Sequence, residues 1–461
     1  MQNVISTIQF DADLLQKYNQ AIPRYTSYPP ATELTDNFLL ADVTNAIDHA
    51  NQRRSPLSLY FHLPFCHSAC YFCGCNVIVS NSDKAAENYL NYLIREIEHK
   101  AQLVDTTRPV VQLHWGGGTP NYLNLDQVER LWQAINRHFT LADNAEVSIE
   151  INPRYVDKNY IFTLRSLGFN RISFGIQDFN PQVQEAVNRV VAEERLFEVM
   201  GWIKEARFES INVDLIYGLP HQNLSTFRET VQKTIALDPN RIAVFNFAYV
   251  PWLKAVQKNI AEKDLPQPCE KLDILKMTIE ELTRSRYVFI GMDHFAKPDD
   301  ELAIAQSNNE LKRNFQGYTT QPDAELVGFG LTSISMLRDM YIQNHKRLKD
   351  YYEAVDAQVW PVEKVIKLNE DDQIRREVIM ELMCHFHLSF AQIEEKYQIN
   401  FKQYFDLELA DLQSLVEDDL LIITPTEMTV TPHGRLLIRN IAAKFDVYLR
   451  QEQVKKMSKA I

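Results

Sequence analysis

The spacing of apolar residues changes character near residue 56. From there, short apolar runs rich in β-branched and aromatic residues alternate with longer stretches whose apolar positions recur every three to four residues. The short runs predict strands over 57–62, 110–115, 145–151, 170–176, 210–217 and 241–247. The longer stretches predict helices over segments such as 84–103, 125–138, 192–206 and 222–236. Strand–helix alternation of this kind predicts an α/β fold, a parallel sheet or barrel whose chemistry gathers at the C-terminal ends of the strands.

The flanking regions read differently. Residues 1–50 form a polar, partly helical extension containing Pro23-Arg24-Tyr25-Thr26-Ser27-Tyr28-Pro29-Pro30, an extended stretch because each proline biases its predecessor away from helix. The alternating region occupies 51–300. Residues 301–368, where the pattern lapses, connect it to a last unit at 369–461. That unit is helix-rich, then carries two short strand-like runs (420–424 and 428–431) and a helix from about Gly434, the outline of a winged helix. Such shapes often bind DNA, but the local charge is not basic, and a substrate lid or packing domain fits better.

Composition narrows the class. The 461 residues are 45% hydrophobic and 24% charged, the make-up of a globular protein. With 61 acidic against 48 basic residues the formal net charge is -13, a surface that disfavours nucleic acid and anionic membrane. There is no long charge-free apolar run and no signal-like N-terminus, so a cytoplasmic location is expected. An anionic substrate would need arginines concentrated locally.

Six cysteines are present, and four fall within ten residues: Cys66, Cys70, Cys73 and Cys75. The spacing C-x3-C-x2-C directly follows the first predicted strand. Three thiolates on one short loop can ligate three irons of a [4Fe–4S] cube and leave the fourth open. An open iron can chelate the amino and carboxylate groups of S-adenosylmethionine, whose sulfonium a reduced cluster cleaves to methionine and a 5′-deoxyadenosyl radical. Structural zinc sites prefer two separated cysteine pairs, and an electron-carrying cluster would use four ligands. Cys75 stands too close to Cys73 to ligate the same cube. Cys269 and Cys384 lie far away, and Cys384 reads as packing despite its neighbours His385 and His387.

The motifs in this order resemble the oxygen-independent coproporphyrinogen III oxidase (dehydrogenase) family, from the Pro23–Pro29 run through the cysteine loop to Gly434-Arg435-Leu436-Leu437-Ile438-Arg439-Asn440. The resemblance implies a partial (β/α)6 radical S-adenosylmethionine barrel with a C-terminal, mainly helical domain. It also implies one [4Fe–4S] cluster and two S-adenosylmethionine molecules. The implied reaction is anaerobic oxidative decarboxylation of coproporphyrinogen III to protoporphyrinogen IX, two propionates becoming vinyls. It makes Cys66, Cys70 and Cys73 the cluster ligands and sets Tyr60 and the backbone of Phe72 against S-adenosylmethionine. In Gly116-Gly117-Gly118-Thr119, Gly117 would serve the first molecule, and Gly118 and Thr119 the second. Glu150 would accept ribose hydroxyls, or else pair with Arg154 or another arginine. Gln177, Arg189, Asp214 and Ala248 match positions around the second molecule, and Ile334 an adenine-side contact of the first.

Arg24, Arg154, Arg313, Tyr25 and Tyr28 are polar candidates for steering substrate carboxylates or closing the site. The resemblance also implies a reducing partner such as flavodoxin or ferredoxin, and nothing demands more than a monomer. Two other readings belong to related proteins: a haem chaperone that keeps these motifs, and a haem-degrading radical enzyme.

Overall fold

The computed structural model describes residues 8–321 and 323–451. Six parallel strands lie side by side in chain order: β1 (Leu57–Leu63), β2 (Val110–Gly117), β3 (Leu141–Ile151), β4 (Arg171–Gln177), β5 (Ser210–Tyr217) and β6 (Arg241–Asn246). One side-chain face of these strands is buried almost throughout beneath the helices, while positions on the other, such as Tyr60, His114, Ser148, Ser173, Asn212 and Asp214, are only half-buried. The covering helices include α1 (Asp83–Leu103), α2 (Leu125–His138), α3 (Lys158–Leu167), α4 (Glu193–Glu205) and α5 (Leu224–Leu237). Local chemistry starts several of them. Ser82 and Asp157 accept from the first-turn amides of α1 and α3, and Asn124 and Asn223 form reciprocal caps with Gln127 and Thr226. On α1, Ala86, Tyr89, Leu90, Leu93 and Ile97 form the buried stripe. Each fully buried large apolar side chain is worth about 1.5–3 kcal/mol.

The alternation ends near residue 300, but the sheet does not. Beyond β6 come β7 (Val288–Gly291) and β8 (His294–Ala296), with β8 antiparallel to β6. Beyond β1 come β9 (Glu325–Phe329), parallel to it, and antiparallel β10 (Ile334–Met336), β11 (Met340–Asn344) and β12 (Val362–Lys367). The full order is β12-β11-β10-β9-β1-β2-β3-β4-β5-β6-β8-β7, an open twelve-stranded sheet whose six central strands make a partial barrel. These late strands hold three to six residues each, too short for a periodicity to register.

A buried ion pair fixes the extension. Lys100 of α1 contacts Glu96 at 2.8 Å with both side chains essentially inaccessible, and donates to the carbonyl of Gly328 at 2.6 Å. Glu96 accepts from the Gly330 amide, Asn344 and Tyr351, each at 2.7 Å. Every polar atom of the pair thus has a partner, the condition for tolerating buried charge.

The C-terminal unit packs α6 (Glu370–His385) and shorter helices around a three-stranded sheet of 387–389, 427–430 and 421–423. The N-terminal run ties this unit to the barrel. Arg439 donates to the carbonyls of Ile22 and Pro23, and Arg313 to that of Tyr25. The Tyr25 hydroxyl donates to Asp446 at 2.9 Å, Tyr341 donates to the Tyr28 carbonyl at 2.7 Å, and Arg24 pairs with Asp293.

Candidate active site

Strand ends and one loop enclose a cavity of about 610 Å³. The loop leaves β1 through Pro64 and begins with a short parallel ladder pairing Phe65 and Cys66 with Ile78 and Val79. It is pinned from outside: the Tyr71 amide donates to the Val187 carbonyl, Asn188 donates to the Ala69 carbonyl, and His67 stacks on Tyr122. Cys66, Cys70 and Cys73 are half-buried and line the cavity, whereas Cys75 is exposed to it. Among the described residues no three His, Cys, Asp or Glu side chains converge to bind a single ion. The three thiols share the wall of one chamber.

Charge around the thiols favours an anionic occupant. Arg189 lies 3.8 Å and Arg154 4.0 Å from Cys70 Sγ, and Thr119 Oγ1 is 3.4 Å from Cys66 Sγ. Burial raises the Cys66 thiol, while hydrogen bonding within the Cys73–Cys75 pair lowers Cys73 to about 6 and raises Cys75. Two guanidiniums beside a cysteine of the loop match the net negative charge of a thiolate-ligated cluster.

The glycine run at the end of β2 owes its composition to packing within the protein. A Cβ on Gly118 would come within 2.6 Å of the Pro64 backbone, and one on Gly117 within 2.6 Å of the His62 ring; Gly117 also has φ +113°. The Gly118 and Thr119 amides donate to the carbonyls of Leu63 and Phe65, each at 2.9 Å, which docks the run against the base of the cysteine loop. Gly117 and Gly118 still face the cavity.

The deeper wall carries two carboxylates. Glu150, at the end of β3, lies 3.5 Å from His114 Nε2 and accepts from the Gly117 amide at 3.3 Å. Burial opposes its ionisation, but these two partners outweigh it and hold the carboxyl below its usual range. Its partner is therefore a histidine, and Arg154 serves Cys70 instead. Asp214 of β5 accepts from Asn212 at 2.8 Å, yet burial pushes its pKa up to about 7. Gln177 ends β4 with φ +70°, a left-handed conformation costly for a non-glycine residue. Its Oε1 and the Arg189 Nε are buried without a hydrogen-bond partner among the described residues. Orphaned polar atoms of this kind await a ligand's donors and acceptors.

Phe72, Thr119, Gln177, Arg189 and Asp214 thus join the three cysteines, Gly117, Gly118 and Glu150 on one chamber. Three other expected residues lie elsewhere. Tyr60 sits behind the wall, stacked on His114 and 3.0 Å from His62 Nδ1. Ala248 is exposed, and its carbonyl accepts from Gln257. Ile334 packs beside Leu34, Tyr341 and Leu368. Sequence reasoning passed over His62, His114 and Asn212. Their signal is a polar residue repeating at the inward positions of otherwise apolar strands. Cys384 is fully buried among Ile290, Leu302 and Leu311, and burial raises its thiol to about 12, as packing implies.

Comparison with known proteins agrees with this geometry. Residues 60–234 match the Radical SAM superfamily, and residues 368–437 match the HemN C-terminal domain. The open α/β barrel, its cysteine loop and the carboxylates at its strand ends are those of a radical S-adenosylmethionine protein, a class built around a [4Fe–4S] cluster and S-adenosylmethionine. The oxygen-independent coproporphyrinogen III oxidase of Synechocystis is 60% identical over the full length of both chains. That of Escherichia coli is 48% identical over 97% of each chain. The solved structure of the Escherichia coli enzyme, described as coproporphyrinogen III oxidase (HemN) and a radical SAM enzyme, covers 96% of this chain and is itself covered completely. It has a TM-score of 0.92 at 47% identity. The chain belongs to the oxygen-independent coproporphyrinogen III oxidase family.

Proposed function

We propose that this chain catalyses the anaerobic oxidative decarboxylation of coproporphyrinogen III to protoporphyrinogen IX, using two S-adenosylmethionine molecules in the one chamber. The observation that carries this reading is the meeting of three thiols, Arg189 and two differently poised carboxylates on one cavity wall, with Arg154 reaching Cys70 from beside it. The bound cluster and S-adenosylmethionine supply reductive cleavage of the sulfonium and, with it, hydrogen-atom abstraction from a propionate β-carbon. The protein's own work is holding and excluding. Cys66, Cys70 and Cys73 would ligate the cluster, and Arg154 and Arg189 balance its charge. Glu150, kept ionised by His114 and Gly117, is suited to accept two ribose hydroxyls. Gln177, Arg189 and Asp214 offer a second polar pocket, which supports a second S-adenosylmethionine. Each of the two reacting propionates loses one hydrogen atom, carbon dioxide and one electron, leaving a vinyl group. An acceptor takes that electron, and a low-potential donor such as flavodoxin or ferredoxin recharges the cluster. We place the enzyme in the cytoplasm as a monomer.

Chromatography of an anaerobic reaction with coproporphyrinogen III, reductant, S-adenosylmethionine and an acceptor source tests the reading. Protoporphyrinogen and 5′-deoxyadenosine are expected together, and neither with Cys70→Ala. Deoxyadenosine without porphyrinogen turnover would remove the substrate. Stable haem binding with neither product would place the chain among haem chaperones.

A further inference from the structure

The lip of the chamber differs in chemistry from its floor. Where Glu150 and Asp214 line the interior, the segment after β6 brings Leu253, Lys254, Ala255 and Val256 to the wall, with Trp252 next to Leu253 in the chain. Trp252 is 56% and Leu253 64% exposed, and Val79, whose backbone pairs with Cys66, is 51% exposed. Val79, Leu253 and the half-buried Lys254 all line the chamber. A single exposed leucine needs no explanation, but an apolar cluster at the entrance of a reactive cavity marks a binding surface. Among the described residues Lys254 forms no salt bridge, so a cation stands beside that apolar surface.

The segment is held in place. The amides of Leu253 and Lys254 both donate to the Val250 carbonyl, at 2.9 and 3.0 Å, closing a tight turn. Gln257, 2% exposed, accepts from the Val250 amide at 2.6 Å and donates to the carbonyls of Ala248 at 3.1 Å and Phe72 at 3.4 Å. One buried amide thereby fastens the turn to the cysteine loop, between two of its cysteines. Whatever rests on the turn is held at a set position relative to the cluster ligands.

We propose that the turn Trp252-Leu253-Lys254 is the platform for the tetrapyrrole. Trp252 and Leu253 lie against the apolar macrocycle, and Lys254 takes a propionate that is not reacting. This rests on the substrate reading above and adds the residues that hold the ring. Apolar contact fits a ring bearing carboxylates only at its rim, and the polar floor is left for the nucleosides. The platform sets substrate affinity and orientation and takes no part in bond breaking.

The probe is coproporphyrin III, the unreactive oxidised ring, titrated by fluorescence into wild type, a Trp252→Ser/Leu253→Ser double variant and Lys254→Gln. A Leu39→Ser/Leu40→Ser variant, altering another exposed apolar pair, serves as the control. The double variant is expected to bind at least about tenfold more weakly and to raise KM for coproporphyrinogen III with kcat little changed. Lys254→Gln should weaken binding several-fold, by a margin that shrinks as salt rises. The control should match wild type. Unchanged porphyrin affinity in both platform variants, in a protein that still turns over coproporphyrinogen III, overturns the platform and leaves the substrate reading standing. So does unchanged affinity accompanied by slowed reduction by a protein donor, which assigns the surface to that partner. Failure of wild type both to bind the porphyrin and to turn over coproporphyrinogen III removes the substrate reading and the platform with it.

Discussion

Arg189 places one guanidinium nitrogen 3.8 Å from Cys70 Sγ and another 3.2 Å from the Gly175 carbonyl, so one buried side chain spans from the cysteine loop to β4. Burial lowers its pKa, and the nearby thiols oppose that loss. A fixed positive charge beside a ligand stabilises the more negative, reduced form of a cluster. Arg189→Met should therefore lower the midpoint potential by an amount on the order of tens of millivolts. A redox titration followed by electron paramagnetic resonance reads this; an unchanged potential would separate Arg189 from the cluster.

The cysteines should divide by position. Replacing Cys66, Cys70 or Cys73 by alanine removes a ligand from the shared wall and should abolish iron and sulfide retention after anaerobic reconstitution. Cys75→Ser alters only the exposed thiol and should keep close to the full iron content. Loss of iron in Cys75→Ser would place a fourth thiol on the cluster.

The raised pKa of Asp214 gives a pH signature. Its folded value is about 7, against an ordinary carboxyl near 3.8, so between these values the folded state holds the extra proton. Stability from this group is complete at low pH and falls as pH rises toward 7, where the carboxylate must ionise beside Glu150. Asp214→Asn should come closest to wild type below about pH 4, gain on it as pH rises to 7 and melt at higher temperature near pH 8, read by thermal denaturation of the cluster-free protein. The opposite order would mean that Asp214 is stabilised as an anion.

The partial barrel was legible because its strands and helices are long enough to carry a period, and because each chemical motif follows a predicted strand. The cysteine loop after β1 and the glycines at the end of β2 could be located that way, and Glu150 by a carboxylate's rarity in an apolar strand. What stayed hidden depends on tertiary contact. Strands β9 to β12 are too short to announce themselves. His114 gains meaning only when β2 lies beside β3, and Gly117 and Gly118 prove to be shaped by His62 and Pro64, which no local pattern reveals. The tie between Gln257 and Phe72 joins positions far apart in the chain.

The Glu96–Lys100 pair carries the sheet extension. Lys100→Met leaves Glu96 charged in a dry interior and should cost about 3–5 kcal/mol. The double change Glu96→Gln/Lys100→Met should recover part of that loss. Urea unfolding of the three proteins measures it; equal stability of the single and double variants would show the two groups to be uncoupled.

The most direct test of the central claim uses coproporphyrinogen III deuterated at the propionate β-carbons, turned over anaerobically, with the 5′-deoxyadenosine analysed by mass spectrometry. Hydrogen-atom abstraction at this site predicts deuterium in the deoxyadenosine, appearing alongside vinyl-bearing product. Deoxyadenosine free of deuterium, formed while product accumulates, would contradict it.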